Sequence, residues 1–169
     1  AIFNGNNYDV AEQERMTKEN VWRIDSAVDA ICRYTDPKNV KLFESMNVLT
    51  AAECAARQTI NLDHYVGSVE MEVLCMIDMI NQHVIPSVKR AGVGPEVATL
   101  ELCNKTLKSA LEQVHGTEDE KAKAALARTL RLETMEKVRE VCDAAEAVVP
   151  AADWTLATYS ELLFLDKSE

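Results

Sequence analysis

The segment Leu49–Gly92, LTAAECAARQTINLDHYVGSVEMEVLCMIDMINQHVIPSVKRAG, runs for more than forty positions without a strong helix stop. It opens with Thr50 and Glu53, three residues apart as in a capping box, where the Thr side chain and the Glu carboxylate each satisfy a backbone N–H at the helix start. A continuous helix over about 51–90 would extend roughly 60 Å at 1.5 Å per residue. Leu62, Val66, Val69, Val73, Met76 or Ile77, Ile80 and Val84 recur at steps of three and four, which draws one apolar stripe along it. Met71, Leu74, Cys75, Met79 and Ile85 draw a second. Two such faces predict a central rod with other helices on all sides. Gly67 is the expected weak point, and Pro86, which cannot donate a backbone hydrogen bond, is expected to kink the rod near its end. Asp78 lies between Ile77 and Met79. An unpaired buried carboxylate is costly, so the expectation is a paired, structural Asp78 whose replacement by Ala weakens folding.

Shorter helices precede the rod. The Asn/Gly-rich FNGNNYD reads as a turn leading into a helix at about 9–19. Ser26, with Asp29 three residues on, caps a short helix over about 27–34. Asp36, with Pro37 at the first helical position, starts another over about 37–46. After the rod, Pro95 and Gly116 bracket a helix in which Val97, Leu100, Cys103, Leu107, Leu111 and Val114 repeat at helical steps. Thr117 and Glu120 then suggest a second capping box for a long helix stopped by Pro150, and the brief connection after His115 makes the two a helical hairpin. In the tail, AADWTLATYSELLFLDKSE, the aromatic residues Trp154, Tyr159 and Phe164 are the expected anchors. The fold expected is all-α: an antiparallel helical bundle built on one long central helix and a long helical hairpin. Short N-terminal helices (1–49) and a C-terminal tail (151–169) pack on the 50–150 bundle, all within one domain of 169 residues.

Composition agrees with a helical class. Aromatic residues are 5%, with five Gly and four Pro, while 47% hydrophobic and 27% charged residues are ordinary for a globular chain. The net charge of −10 would repel nucleic acid and anionic membranes alike. No stretch has the roughly 18 apolar residues of a membrane span, and no basic-then-apolar leader pattern opens the chain, so a soluble, cytoplasmic protein is expected. The chain begins AIFNGNNY without an initiator Met, which reads as the interior of a longer protein or as a tag remnant at Ala1. Cysteines at 32, 54, 75, 103 and 142 are odd in number and form no Cys-x-x-Cys pair, so they read as small buried thiols.

Candidate chemistry is sparse. Glu112 and His115 have the Glu-x-x-His spacing of di-iron bundles, but no second pair accompanies them, and His115 beside Gly116 reads better as a cation at a helix C-terminus. Asp63, His64, Tyr65 and His83 are potential acid/base groups without a nucleophile turn. Gly92–Gly94 lacks the Lys and Ser/Thr of a phosphate loop and reads as a helix stop. Glu118, Asp119 and Glu120 fall in a first helical turn, where the macrodipole favours negative charge. The expectation is therefore no catalytic, cofactor-binding or metal residue in this chain.

IFNGNNY at the start, VDAI and KNVKLFESMNVLTAAE after it, EVLCMIDMINQHVIPSV in the rod and DWTLATYSELLF at the end together resemble the C-terminal region of type III glutamine synthetases, the long-chain bacterial form. Two departures are local. That family often has prolines in the tail block where this chain has Trp154-Thr155-Leu156-Ala157-Thr158-Tyr159, and a Pro where DAI continues into Cys32. The resemblance implies a parent enzyme that joins ammonia to glutamate using ATP and magnesium or manganese, a homo-oligomer whose catalytic motifs lie upstream. It implies that this piece is a non-catalytic structural or assembly element contacting the catalytic portion of its own chain. A different class remains open: an independent helical interaction module that takes a partner in a Met-rich groove, with Met71, Met76 and Met79 as adaptable contacts.

Overall fold

A computed structural model of the chain describes residues 5–157 and 159–164, with the backbone alone at 159 and 160. The described residues hold helices and no strand. In chain order they are α1 (Val10–Lys18), α2 (Ala27–Cys32) with a 3-10 turn (Arg33–Thr35), α3 (Pro37–Ser45), α4 (Ala51–Met79), a π turn (Ile80–Val84) and α5 (Ile85–Ala91). There follow α6 (Val97–His115), α7 (Glu120–Thr129), a second π turn (Leu130–Thr134), α8 (Met135–Glu146) and α9 (Tyr159–Leu163). The all-α class expected from periodicity is what the chain adopts.

Residues 1–4, which include the first two of the FNGNNYD block, lie outside the described residues. Asp9 caps α1 by accepting from the Ala11 N–H. α1 and α3 end alike: Asn20 and Asn47 take positive φ (57° and 52°), and the next residue's N–H reaches back to close the last turn, Val21 to Met16 O and Val48 to Phe43 O, both at 2.9 Å. Asn tolerates that left-handed position better than other residues with a Cβ. Ser26 accepts from the Asp29 N–H as expected. Asp36 does not cap with its side chain; it pairs with Arg33 at 3.1 Å, and Pro37, which has no N–H to satisfy, starts α3 instead.

The rod is continuous. Thr50 and Glu53 form the reciprocal capping box, and helix persists for 41 residues to the left-handed Gly92 at φ 67°. The Thr50 N–H and hydroxyl hold the Glu53 carboxyl below the usual range. Whatever that box contributes is thus present at neutral pH and lost as the pH falls through the depressed value. Pro86 does not break the helix. Its ring conflicts with the carbonyl four residues earlier, that of Gln82, and the chain widens into the π turn Ile80–Val84 just before it.

Cross-helix bonds fix the arrangement. Along the rod, Glu70, Asn81 and Lys89 meet His115, Asn104 and Glu101, so partners descend as the rod ascends and α6 is antiparallel to it. Thr59 meets Glu120 and Glu72 meets Arg131, with near-constant offsets of 61 and 59 residues, so the second arm of the hairpin runs parallel to the rod. The bundle is antiparallel only through α6. The core is the first stripe, with Leu62, Val66, Val69, Val73, Ile77, Ile80 and Val84 all buried, closed by Leu100, Leu107, Leu111 and Val114 of α6 and by Ala124, Ala127, Leu130 and Val138 of the arm. The alanines of α7 let it approach the rod closely. α2 packs on both α4 and α7, with Val28 buried and Thr35 donating to Gln58 at 2.7 Å from the adjoining turn.

Three expectations need correction. The rod is not covered all round: Met71 (64% exposed), Leu74, Cys75 and Met79 (45% exposed) of its second stripe face outward, because only α6 and the arm flank it at that level. Asp78 shares that outward side, is exposed and has no ion-pair or hydrogen-bond partner, so its carboxylate is simply solvated. At the hairpin, Asp119 rather than Thr117 caps α7, accepting from the Ala122 N–H at 2.8 Å, while the Thr117 hydroxyl donates to Gln113 O. Phe164 is 55% exposed, and the Tyr159 side chain lies outside the described residues.

Urea unfolding separates these roles. Asp78→Ala is expected to leave stability within about 0.5 kcal/mol, as for other solvated surface positions, whereas Leu107→Ala in the fully buried core costs about 2–5 kcal/mol. Gly67 sits mid-helix with nothing within 4 Å of where a Cβ would stand. Gly67→Ala is therefore expected to stabilise by about 0.5–1 kcal/mol, through lower unfolded-state entropy and better helix propensity.

Candidate functional site

Two parallel helices leave a furrow between them on the side that α6 does not fill. Its lower half is occupied by α2, which bridges α4 and α7. Its upper half, between residues 68–84 of the rod and 131–146 of the arm, is an open trough of about 1000 Å³. The outward stripe of the rod supplies the floor: Met71, Cys75, Met76 and Met79 lie here, opposite Met135 and Cys142 of the arm. The three methionines singled out from sequence are thus brought together, and Met135 joins them.

The rim is charged. Arg131 meets Glu72 at 2.9 Å and Arg139 lies 3.4 Å from Asp143, pairs of the exposed kind that add little stability but hold their side chains along the edge. Glu136 and Glu146 stand on the same rim and form no ion pair. The tail closes the far end with Trp154, Leu156 and Leu162. It is tied to the rod there. Arg90 reaches Asp153 through its carboxylate at 3.4 Å and its carbonyl at 3.0 Å, and the His83 ring nitrogen Nδ1 lies 2.9 Å from the Thr155 hydroxyl. Trp154 packs on the core, its indole N–H shielded from solvent and without an acceptor.

The remaining candidates are dispersed. Asp63 and His64 are exposed, on the rod more than four turns from His83, which serves the tail contact. His115 turns to Glu70, 3.1 Å away across the helix pair, rather than combining with Glu112. Asp119 is a cap and Glu120 accepts from Thr59 at 2.9 Å. Among the described residues no three His, Cys, Asp or Glu side chains are grouped to hold a metal. Both arginines of the trough are paired with carboxylates, Arg131 with Glu72 and Arg139 with Asp143.

The cysteines are free thiols but not uniformly buried: Cys54 is, Cys32, Cys103 and Cys142 are partly so, and Cys75 is exposed on the trough floor, where the second stripe faces outward. Burial, then the neighbouring Cys103 and Asp143, push the Cys142 thiol up to about 11. At pH 8 only about one Cys142 in a thousand is then the reactive thiolate. Iodoacetamide at pH 8 is expected to label Cys75 well before Cys142, as read by peptide mass spectrometry; equal rates would contradict this arrangement.

What these features define is an all-α fold with an apolar, Met-lined trough. No described helix is long and apolar enough to cross a membrane. A family model described as glutamine synthetase C-terminal domain matches residues 1–92, more than half of the chain, so the chain belongs to that family. It is 23% identical over 196 aligned residues to a type-3 glutamine synthetase of Dictyostelium discoideum, covering 97% of this chain and 27% of that protein. It is 26% identical over 191 residues to a glutamine synthetase of Butyrivibrio fibrisolvens, covering 96% and 27%. The chain spans about a quarter of the length of these curated relatives.

Proposed function

We propose that the chain is the C-terminal helical domain of a type III glutamine synthetase and serves there as a non-catalytic element of assembly. The parent would carry out the ATP-dependent ligation of ammonia to glutamate with magnesium or manganese, as a cytoplasmic homo-oligomer, through residues outside these 169. Family membership combined with near-complete alignment to a quarter of two such enzymes supports the placement. One feature of the fold carries the assembly role. α1 and α3 bury no residue, and around them Tyr8 (93% exposed), Trp22 (77% exposed), Leu42, Met46 and Val48 present large apolar side chains to solvent. Aromatic and Met side chains of this kind are enriched at protein interfaces, and the lead-in lies within the family-matched residues. The reading is that this surface rests on the catalytic portion of the same chain or of a neighbouring copy.

Two measurements test it. The isolated chain should form no glutamine from glutamate, ammonia and ATP, and measurable turnover would overturn the non-catalytic assignment. In the longer parent, Trp22→Ala together with Met46→Ala should lower the oligomer mass seen by light scattering while circular dichroism stays unchanged. An unaltered oligomer would remove the lead-in surface from the assembly.

A further inference from the structure

We infer that the open upper half of the furrow is a docking site for a basic amphipathic α-helix of a partner protein. The inference goes beyond the assembly role and does not rest on it. The molecule already shows what this furrow accepts, since α2 lies in its lower half, touching both walls and burying Val28. Above it the same two helices continue, and among the described residues only the tail, through Trp154, Leu156 and Leu162, reaches across to the trough's far end. Rod residues 68–84 run for roughly 24 Å, the length of about 16 helical residues.

The floor suits an apolar helical face. Met71, Met76, Met79 and Met135 are four of the six methionines in the chain, and their unbranched, polarizable side chains can repack around a guest. Charge selects the sign of the guest. The trough carries Glu72, Glu136, Asp143 and Glu146 against Arg131 and Arg139, a net of two negative charges. Both arginines are engaged in ion pairs, while Glu136 and Glu146 form none among the described residues. The whole chain adds a field of net charge −10. A helix with leucines at i, i+3, i+4 and i+7 and lysines on its outer edges meets both conditions.

The test uses the 169-residue chain and a fluorescein-labelled synthetic peptide of about 16 residues with that Leu/Lys pattern, followed by anisotropy. Saturable binding that weakens with salt is expected, together with no binding by the peptide carrying Glu for Lys. A peptide of identical composition with its helical periodicity scrambled should bind at least about tenfold more weakly. Met71→Gln with Met79→Gln, both at exposed positions, should weaken binding about tenfold. Glu136→Gln with Glu146→Gln should weaken it severalfold and flatten the salt dependence. Circular dichroism of each variant is expected to match the parent chain. Equal affinity for the scrambled peptide would mean attraction to net charge alone and would overturn the site, as would unchanged binding by both variants. A chain dimer that the Met71→Gln, Met79→Gln variant dissociates would replace the basic helix by a second copy.

Discussion

The inner stripe of the rod, from Leu62 to Val84, is the contact on which everything else hangs. A helix of 41 residues has no use for that length in isolation; its stability comes from burying one face along its whole run. α6 must return along that face to cover it, and the short connection at residues 116–119 then forces the next arm to turn back again. The arm therefore travels in the same direction as the rod. Two parallel helices held against a common third have a furrow on their far side; α2 fills its lower half, and the described part of the tail closes its far end.

The two π turns shape what is left. Each inserts an extra residue into a helical turn and rotates the side chains beyond it, and such turns concentrate at functional positions in helices. Pro86 accounts for the one at Ile80–Val84, since widening the turn relieves its conflict with the Gln82 carbonyl. The other, Leu130–Thr134, has no proline near it, and no feature of its sequence explains it. By the offset that pairs Glu72 with Arg131, it lies near rod residues 71–75, so the two turns sit towards opposite ends of the open trough. Asn81, at the first of them, accepts from Asn104 at 2.6 Å, a polar contact on otherwise apolar helices that helps set the register of α6 against the rod.

Much of this was legible in the chain, because local rules act locally. Thr50 and Glu53, Ser26, Pro37 and Gly92 each act on backbone groups within a turn of themselves, and each stands where its chemistry places it. Periodicity also separated the rod's inner stripe correctly. It could not say whether the second stripe would be covered, since that depends on how many helices reach that level. The same dependence governs Asp78, which is costly only if buried, and Cys75, which is a buried thiol only where that stripe is covered. Asp119 displaced Thr117 as a cap because Thr117 bonds back to Gln113 instead, a competition between two equally local options. Met71, Met76 and Met79 pointed to a groove from sequence, but its opposite wall, with Met135, Glu136 and Glu146, needed the parallel register of the arm.

That register also explains why the surface of this domain is divided as it is. α3 packs beside the rod and, like α1, buries none of its own residues, while the upper half keeps its apolar groups in a recess between charged edges. A projecting apolar surface suits contact with a broad, fixed neighbour, because each side chain must find its own pocket there. A recess lined by methionine suits a single narrow element that enters and leaves, since the floor rearranges at little cost in strain. The two halves thus differ in kind, and the difference follows from where α2 ends: it covers the furrow as far as Cys32, after which the chain turns away through Arg33–Thr35 into α3 and leaves Met71 and Met79 of the rod exposed.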